Sequence, residues 1–222
     1  MQDIIPSAVI DVLRGHYALG VANAEAYYEQ HSADEDSITG ALGQALARAE
    51  PIRYRKDFDE YQINISYKKI RGRGRAAPER VYGVDGLFQI SVKGKDGQEL
   101  LIKTLPFQSK KGWKGKNKEL LIQAEKMEQT IPGGIVIDFG PNGYKACTAK
   151  DVILCQGNRG TADRYRSVRS LEQFLSHDFL NCYVGRRGLF YEADKERFSN
   201  FWNVEDKPLH IITTEVEISP WG

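Results

Sequence analysis

The sequence has no long apolar run and few cysteines, and each absence excludes a class of protein. No segment of the 222 residues approaches the roughly 20 apolar residues of a membrane-spanning helix. Residues Met1 to Ile10 include Asp3 and Pro6 and lack the apolar core of a secretory signal peptide. The three cysteines are far apart and form no CxxC pair, which indicates reduced thiols. These features predict a cytoplasmic protein without a membrane segment.

Several enzyme motifs are absent as well. The four histidines are scattered, and no two have the i,i+4 spacing of a zinc site on a helix. The chain contains neither the GxxxxGK[ST] loop of nucleoside triphosphatases nor the GxSxG elbow of serine hydrolases. Its GRGR segment lacks the strand-to-helix context of a dinucleotide-binding loop. The scattered histidines are assigned no function, and none of these motifs supports another enzyme class.

The net charge of +1 is unevenly distributed along the chain. Between Lys68 and Lys116, thirteen Lys or Arg residues stand against four Asp or Glu residues, a local balance of +9, so that the remainder sums to about −8. Lys and Arg are the main ligands of phosphate groups. The basic block predicts a polyanionic partner.

The apolar patterns predict an α/β fold with a central mixed sheet flanked by helices. Predicted helices cover Ile5–His31, Ile38–Ala49, Lys118–Gln129 and Ser170–Tyr183. The first predicted strand begins near Glu60. Further predicted strands cover Val84–Val92, Leu100–Lys110, Ile135–Phe139, Tyr144–Thr148 and Leu209–Ile218. The strand–helix–strand order after Lys110 indicates a crossover helix. We expect residues 1–150 to form the core, and residues 151–222 to form a C-terminal extension on the same domain.

The strands Val84–Val92 and Leu100–Lys110 form a predicted hairpin, because an Asp-Gly turn signal separates them. Side chains two residues apart on a strand share a face, so Gln108 and Lys110 point the same way. If the hairpin brings Asp85 to the same end, one surface gathers a carboxylate, an amide oxygen and an ammonium.

This set of groups suits phosphodiester hydrolysis. A carboxylate with further oxygen ligands can bind Mg²⁺, which lowers the pKa of a bound water and stabilises charge on phosphorus. A lysine can orient or deprotonate the water, or neutralise a phosphate oxygen. A second carboxylate from a helix, with Glu35 favoured, would complete the metal ligands beside Asp85 and Gln108.

Glu35 has two interpretations. Ser32 and Glu35 have the spacing of a capping box, and acidic groups are favourable at a helix N-terminus. Alternatively, one carboxylate of this acidic segment faces inward and joins Asp85 at a metal. Asp36 and Glu79 are the other candidates for this ligand.

Two basic segments flank the hairpin, and either could contact a phosphate backbone or be a solvated surface. Trp113 could stack on a base or cover the core. The predicted nucleic-acid-binding residues are Lys68, Lys69, Arg71, Arg73, Arg75, Lys111, Trp113, Lys114 and Lys116.

The order of Glu35 within ADEDSITGAL, Asp85 within YGVDGLFQI and Gln108-Ser109-Lys110 within FQSKKGW resembles the PD-(D/E)xK nuclease superfamily. The Gln-x-Lys form is similar to Mrr-type restriction nucleases and to nucleases of antiphage defence. The resemblance covers roughly residues 34–148. It implies a restriction-endonuclease-like fold, catalysis by Asp85, Gln108, Lys110 and Glu35, and cleavage of DNA that depends on Mg²⁺ or Mn²⁺.

Double-strand cleavage with one site per chain would require two chains, so we expect a homodimer. Two alternatives remain at this stage. The protein could bind nucleic acid without cleaving it, on a nuclease-like fold, or its basic block could dock an acidic protein.

Overall fold

The computed structural model describes residues 1, 3–70, 83–195, 197–199 and 209–221. It confirms an α/β architecture in which a large mixed sheet is flanked by helices. Nine of the described strands form this sheet, and two more form a small separate hairpin.

The helices lie in the N-terminal part and the middle of the described chain, and the last helical segment ends at Phe179. They are α1 Ser7–Ala26, α2 Tyr28–His31, α3 Glu35–Leu46, α4 Lys118–Thr130, α5 Ala149–Leu154, α6 Arg159–Arg164 and α7 Leu171–Gln173, which continues into a π-helical turn, Phe174–Phe179. Within the described ranges, no helix is both long and apolar enough to cross a membrane.

The strands differ widely in length. They are β1 Ile52–Lys56, β2 Asp59–Lys69, β3 Gly86–Lys93, β4 Glu99–Lys111, β5 Ile135–Phe139, β6 Lys145–Thr148, β7 Arg169–Ser170, β8 Arg186–Arg187, β9 Tyr191–Glu192, β10 Arg197–Phe198 and β11 His210–Pro220.

The last strand of the chain lies inside the sheet. The order is β1-β2-β11-β3-β4-β5-β6-β7, with β8 also paired to β4. β11 runs antiparallel to β2, where His210 pairs with Lys69, and parallel to β3, where His210 pairs with Gly86. Residues 151–222, which we expected to be an extension, thus supply a central strand as well as peripheral elements.

The strands β3 and β4 form the predicted hairpin, with Gly86 opposite Phe107. Gly97 adopts φ +74° in the turn, a conformation that glycine tolerates without steric cost. Beyond the hairpin, β4 pairs in parallel with β5, and α4 connects the two strands. The predicted crossover is confirmed.

Each face of the sheet carries its own apolar core, because successive side chains of a strand point to opposite faces. Ile90 faces the side of α1, α3 and the π-helical turn, and it is buried in one cluster with Leu13. Leu87 faces the side of α4, α5 and α6, and it is buried in a second cluster with Leu120. Burial of each such side chain contributes roughly 1.5–3 kcal/mol to folding.

The first predicted helix, Ile5–His31, is divided at Tyr27 into α1 and α2. Glycines often weaken a helix, but α1 continues through Gly15 and Gly20 and ends at Ala26. A Cβ at Gly20 would lie 2.6 Å from Cδ2 of Leu46. Gly20 therefore serves the close approach of α1 to α3, and it does not end the helix.

Two short helices, α5 and α6, follow β6 in a polar part of the chain. Both helices are short and capped by a side chain: Thr148 accepts from the N–H of Asp151, and Asn158 accepts from the N–H of Thr161. Such caps satisfy amide groups that lack an intrahelical partner. The edge strand β1 was not predicted from the sequence.

Candidate functional site

Asp85 lies immediately before β3, between two neighbouring strands. Its backbone N–H donates to the carbonyl of Phe107 in β4 at 2.9 Å. Its carbonyl accepts from the N–H groups of Leu209 and His210, each at 3.1 Å, at the start of β11. Backbone hydrogen bonds to both sides thus fix the position of Asp85.

The side chain of Asp85 contacts β4 at the predicted residues. Its Oδ2 accepts from Nε2 of Gln108 at 2.8 Å and from the backbone N–H of Ser109 at 2.7 Å. Gln108 is fully buried, and its Nε2 also lies 3.3 Å from the carbonyl of Ser109. In the described part of the chain, Oε1 of Gln108 has no hydrogen-bond partner. An unpaired buried amide oxygen is costly unless another group binds it.

Glu35 lies in the first turn of α3, and the structure shows that another residue caps this helix. Asp34 is the N-cap, and its side chain accepts from the N–H of Ser37 at 2.7 Å. The hydroxyl of Ser32 instead donates to the carbonyl of Glu29. The capping-box interpretation of Ser32 and Glu35 is therefore wrong.

The carboxylate of Glu35 turns toward the end of β4. Its Oε1 accepts from the backbone N–H of Lys111 at 3.0 Å, and its Oε2 lies 3.6 Å from Nζ of Lys110. Only 11% of the Lys110 side chain is exposed. Thr39, one turn further along α3, lies with its hydroxyl 3.0 Å from the hydroxyl of Ser109. These contacts join α3 to the strand that carries Gln108 and Lys110.

A small cavity of about 90 Å³ lies between α3, the Asp85 segment and β11. Its lining residues are Glu35, Asp36, Thr39, Asp85, Leu209 and His210. Two of the predicted acidic residues, Glu35 and Asp85, therefore face one cavity although 50 residues separate them in the sequence.

His210 is the main residue of this cavity that the sequence did not identify. The side chain is 1% exposed, and its ring stacks on Tyr67 with an interplanar angle of 12°. Its Nε2 lies 2.9 Å from Oδ1 of Asp36, and its Nδ1 lies 2.8 Å from the hydroxyl of Tyr67. No local pattern marks this histidine, because only the pairing of β11 with β2 and β3 brings it to Asp85.

The hydrogen bonds assign a neutral tautomer to His210. Burial lowers the pKa of His210 from its ordinary value, although Asp36 acts in the opposite direction. Burial raises the pKa of Tyr67 to about 12, so its hydroxyl stays protonated. A carboxylate can only accept, so Nε2–H of His210 donates to Asp36 while Nδ1 accepts from Tyr67.

Asp36 is ionised in this network. Burial of Asp36 alone would raise its pKa, but hydrogen bonds from Lys69 and His210 outweigh that effect and lower the pKa. Asp36 forms an ion pair with Lys69 as well as its hydrogen bond to His210. Both carboxylate oxygens of Asp36 are thus engaged within the protein.

The donor set fits a hard divalent cation in its chemistry. Asp85 and Glu35 supply carboxylates, and Oε1 of Gln108 is a buried oxygen without a hydrogen bond in the described residues. Mg²⁺ accepts one or two carboxylates and retains several waters. Within the described ranges, no group of three or more His, Cys, Asp or Glu residues is arranged to hold a metal. The set proposed here has only two such residues, with an amide as the third ligand.

Five of the lysines predicted to bind nucleic acid have exposed positions: Lys68, Lys69, Lys111, Lys114 and Lys116. Three of them contact neighbouring oxygens, Lys68 at Asp194, Lys69 at Asp36 and Lys111 at the carbonyl of Ser32. The predicted residues Arg71, Arg73 and Arg75, with Glu79, lie outside the described residues.

Trp113 belongs to the core, which corrects its assignment as a nucleic-acid-binding residue. Its side chain is 5% exposed and packs in the cluster beneath α4 and α5. The indole N–H donates to the carbonyl of Gly157 at 3.1 Å, and the backbone N–H donates to Asp138 at 2.7 Å. A buried ring of this kind offers no face for a base to stack on.

The chain was compared with protein-family models, with curated proteins and with solved structures, and none of the three comparisons found a match.

Proposed function

We propose that the protein is a metal-dependent endonuclease that hydrolyses phosphodiester bonds of DNA, on a restriction-endonuclease-like fold. The main supporting observation is that Asp85, Gln108, Lys110 and Glu35 lie together at the end of β4. A 2.8 Å hydrogen bond pairs Asp85 with Gln108, and Lys110 lies 3.6 Å from Glu35. Asp85 and Glu35 line one cavity, which brings the two pairs to the same place.

In this proposal, Asp85, Glu35 and Oε1 of Gln108 would hold Mg²⁺ or Mn²⁺, which when bound supplies an acidified water and charge neutralisation at the phosphate. The bond from Nε2 of Gln108 to Asp85 fixes the orientation of the amide. That orientation leaves Oε1 as the amide atom available for a ligand.

Lys110 would act on the scissile phosphate. Its side chain is largely buried, so its charge is less screened by water than that of a fully exposed lysine. It can neutralise a nonbridging oxygen or orient the attacking water. The carboxylate of Glu35 holds this ammonium near the end of β4 before DNA binds.

The exposed lysines would bind the DNA backbone. Lys69 and Lys111 flank the cavity and contact Asp36 and the carbonyl of Ser32 in the free protein. Phosphate oxygens can replace such exposed contacts at little cost, because surface ion pairs contribute only about 0–1 kcal/mol. Double-strand cleavage would then use a homodimer, and the resemblance suggests a role in restriction or antiphage defence.

The test is cleavage of supercoiled and linear plasmid DNA in Mg²⁺, Mn²⁺ or EDTA, with DNA affinity measured across a range of salt concentrations. We expect cleavage with either metal and none in EDTA. Affinity should fall steeply as salt rises, since phosphate contacts release bound counterions.

The contrary outcomes separate the alternatives. Tight, salt-sensitive binding without cleavage in either metal would indicate a nucleic-acid-binding protein that is not an enzyme. Weak binding that is insensitive to salt would indicate that the basic block docks a protein.

A further inference from the structure

A second cluster of ionisable groups lies far along β4 from the candidate site, around Lys103. This lysine is 0% exposed in the middle of the strand. Its ammonium donates to the carbonyl of Phe179 and lies 4.4 Å from the centre of the Phe179 ring. In the described part of the chain, no ion pair joins Lys103 to a carboxylate. A buried ammonium without a carboxylate is costly and requires another source of negative charge.

Cys182 can supply that charge. Its backbone N–H donates to the same Phe179 carbonyl at 3.1 Å, so the cysteine and the lysine share one acceptor. Cys182, three residues after the π-helical turn, adopts φ +63°, a strained conformation for a residue with a side chain. Strain of this kind is often found at functional positions.

Arg187 is the third member of the cluster. β8 pairs with β4 so that Arg187 lies directly opposite Lys103. Gly185 makes this approach possible, because its φ is +83° and a Cβ there would lie 2.9 Å from the carbonyl of Thr104. The short strand β8 therefore places a guanidinium opposite the ammonium of Lys103.

Lys103 and Cys182 each favour the charged form of the other. Burial alone would raise the pKa of Cys182, but Lys103 and the hydrogen bond from Arg187 reverse this effect and lower the pKa. Burial lowers the pKa of Lys103 to about 8, and Cys182 acts in the opposite direction. Cys182 packs against the edge of the apolar core but, unlike Cys147 and Cys155, is not fully buried. Reactive cysteines in cationic surroundings are usually partly exposed.

We propose that Cys182, held between Lys103 and Arg187, is a site of oxidation by hydroperoxides. The thiolate sulfur attacks one peroxide oxygen, so that an S–O bond forms as the O–O bond breaks. Sulfur is oxidised to a sulfenic acid, and the peroxide is reduced. With hydrogen peroxide, the leaving hydroxide takes up a proton and departs as water. This inference is independent of the proposed nuclease activity.

The other two cysteines are internal controls. Cys147 and Cys155 are 1% and 4% exposed. Burial raises the pKa of both thiols. The folded protein should therefore react with peroxide at Cys182 and leave these two intact.

The experiment treats the folded full-length chain with hydrogen peroxide in the presence of dimedone, and locates the adduct by peptide mass spectrometry. In parallel, the rate of alkylation of Cys182 by iodoacetamide is measured from pH 6 to pH 10, beside an unstructured peptide of the same local sequence. We expect a dimedone adduct on Cys182 and an alkylation midpoint below that of the peptide.

Two variants test the cause. Arg187→Gln and Lys103→Met should each raise the midpoint and lower the rate at pH 7 several-fold. Arg186→Gln removes the same charge one residue earlier, on the opposite face of β8. It should change neither the alkylation midpoint of Cys182 nor the alkylation rate at pH 7. Arg187 is exposed, so Arg187→Gln remains informative if Lys103→Met does not fold. A wild-type midpoint at or above that of the peptide would overturn the proposal, as would an adduct on Cys147 or Cys155 instead.

Discussion

His210 connects the two acidic segments of the candidate site. Its backbone N–H donates to Asp85 at 3.1 Å, and its ring donates to Asp36, the residue beside Glu35. Groups that orient the ligands of a metal site typically change activity by 10–100-fold when they are removed. We therefore expect His210 to position Glu35 relative to Asp85.

The variants His210→Leu and His210→Gln test this role. Leucine removes both ring hydrogen bonds, and we expect single-turnover cleavage to slow by roughly tenfold, while DNA affinity changes little. Glutamine can still donate to Asp36, so part of the rate should return. Tyr67→Phe removes only the hydroxyl that donates to Nδ1, and it should have a smaller effect than His210→Leu. Equal rates for wild type and His210→Leu would show that the network has no part in positioning.

At the level of single residues, the sequence predicted which side chains lie close together where those residues are near each other along the chain. Gln108 and Lys110 are two residues apart on one strand, so strand geometry predicts that they share a face. Asp85 lies just before the partner strand, and the hairpin pairing brings it to the same end. The sequence did not decide whether Trp113 stacks on a base or covers the core, because an aromatic residue beside glycines and lysines is compatible with both roles. The burial of the ring depends on α4 and α5, which lie elsewhere in the sequence.

At the level of elements, α3 packs unusually closely on β2. A Cβ at Gly43 would lie 2.4 Å from Cδ2 of the Tyr67 ring. The same ring stacks on His210, which lines the cavity. The contact between helix and strand therefore also sets the position of the residues beside Asp85.

Gly43→Ala should displace the Tyr67 ring. We expect the free energy of unfolding to fall by about 1–3 kcal/mol, the usual cost of overpacking. Cleavage should also slow, because the hydrogen bonds of His210 shift with the Tyr67 ring. Gly15→Ala is the matched control, since its Cβ would meet nothing within 4 Å on the exposed side of α1. It should be neutral or stabilise by up to about 1 kcal/mol. Chemical denaturation of both variants measures the difference, and equal stabilities would contradict close packing at Gly43.

The elements that the sequence predicted well are those defined by local pattern. The hairpin β3–β4, the helix α4 and the strand β5 have clear periodicity and turn residues, and the structure confirms them. The position of β11 could not be predicted, because its alternating pattern fits any half-buried strand. Its pairing with β2 and β3 depends on contacts across more than 100 residues of sequence.

At the level of the whole molecule, the charge distribution follows the fold only in part. The sequence places thirteen basic residues between Lys68 and Lys116. Lys103 is one of them, yet it lies in the core and cannot contribute to a binding surface. Lys69 and Lys111 are exposed and are the residues of this block proposed to contact DNA, and they lie beside Asp36 and Glu35.

The central claim is that Asp85 and Lys110 carry out DNA cleavage. The most direct measurement is single-turnover plasmid cleavage in Mg²⁺ by wild type, Asp85→Asn and Lys110→Met, with DNA affinity measured for each protein. Both substitutions keep the size of the side chain and remove its charge. Asp96→Asn, in the exposed turn at the opposite end of the hairpin, makes the same change as Asp85→Asn outside the site.

We predict that Asp85→Asn and Lys110→Met each lose cleavage by at least about 100-fold, the scale of one catalytic group. DNA affinity should stay within a few-fold of wild type, and Asp96→Asn should cut normally. Cleavage that survives both substitutions at the wild-type rate would contradict the assignment of this site.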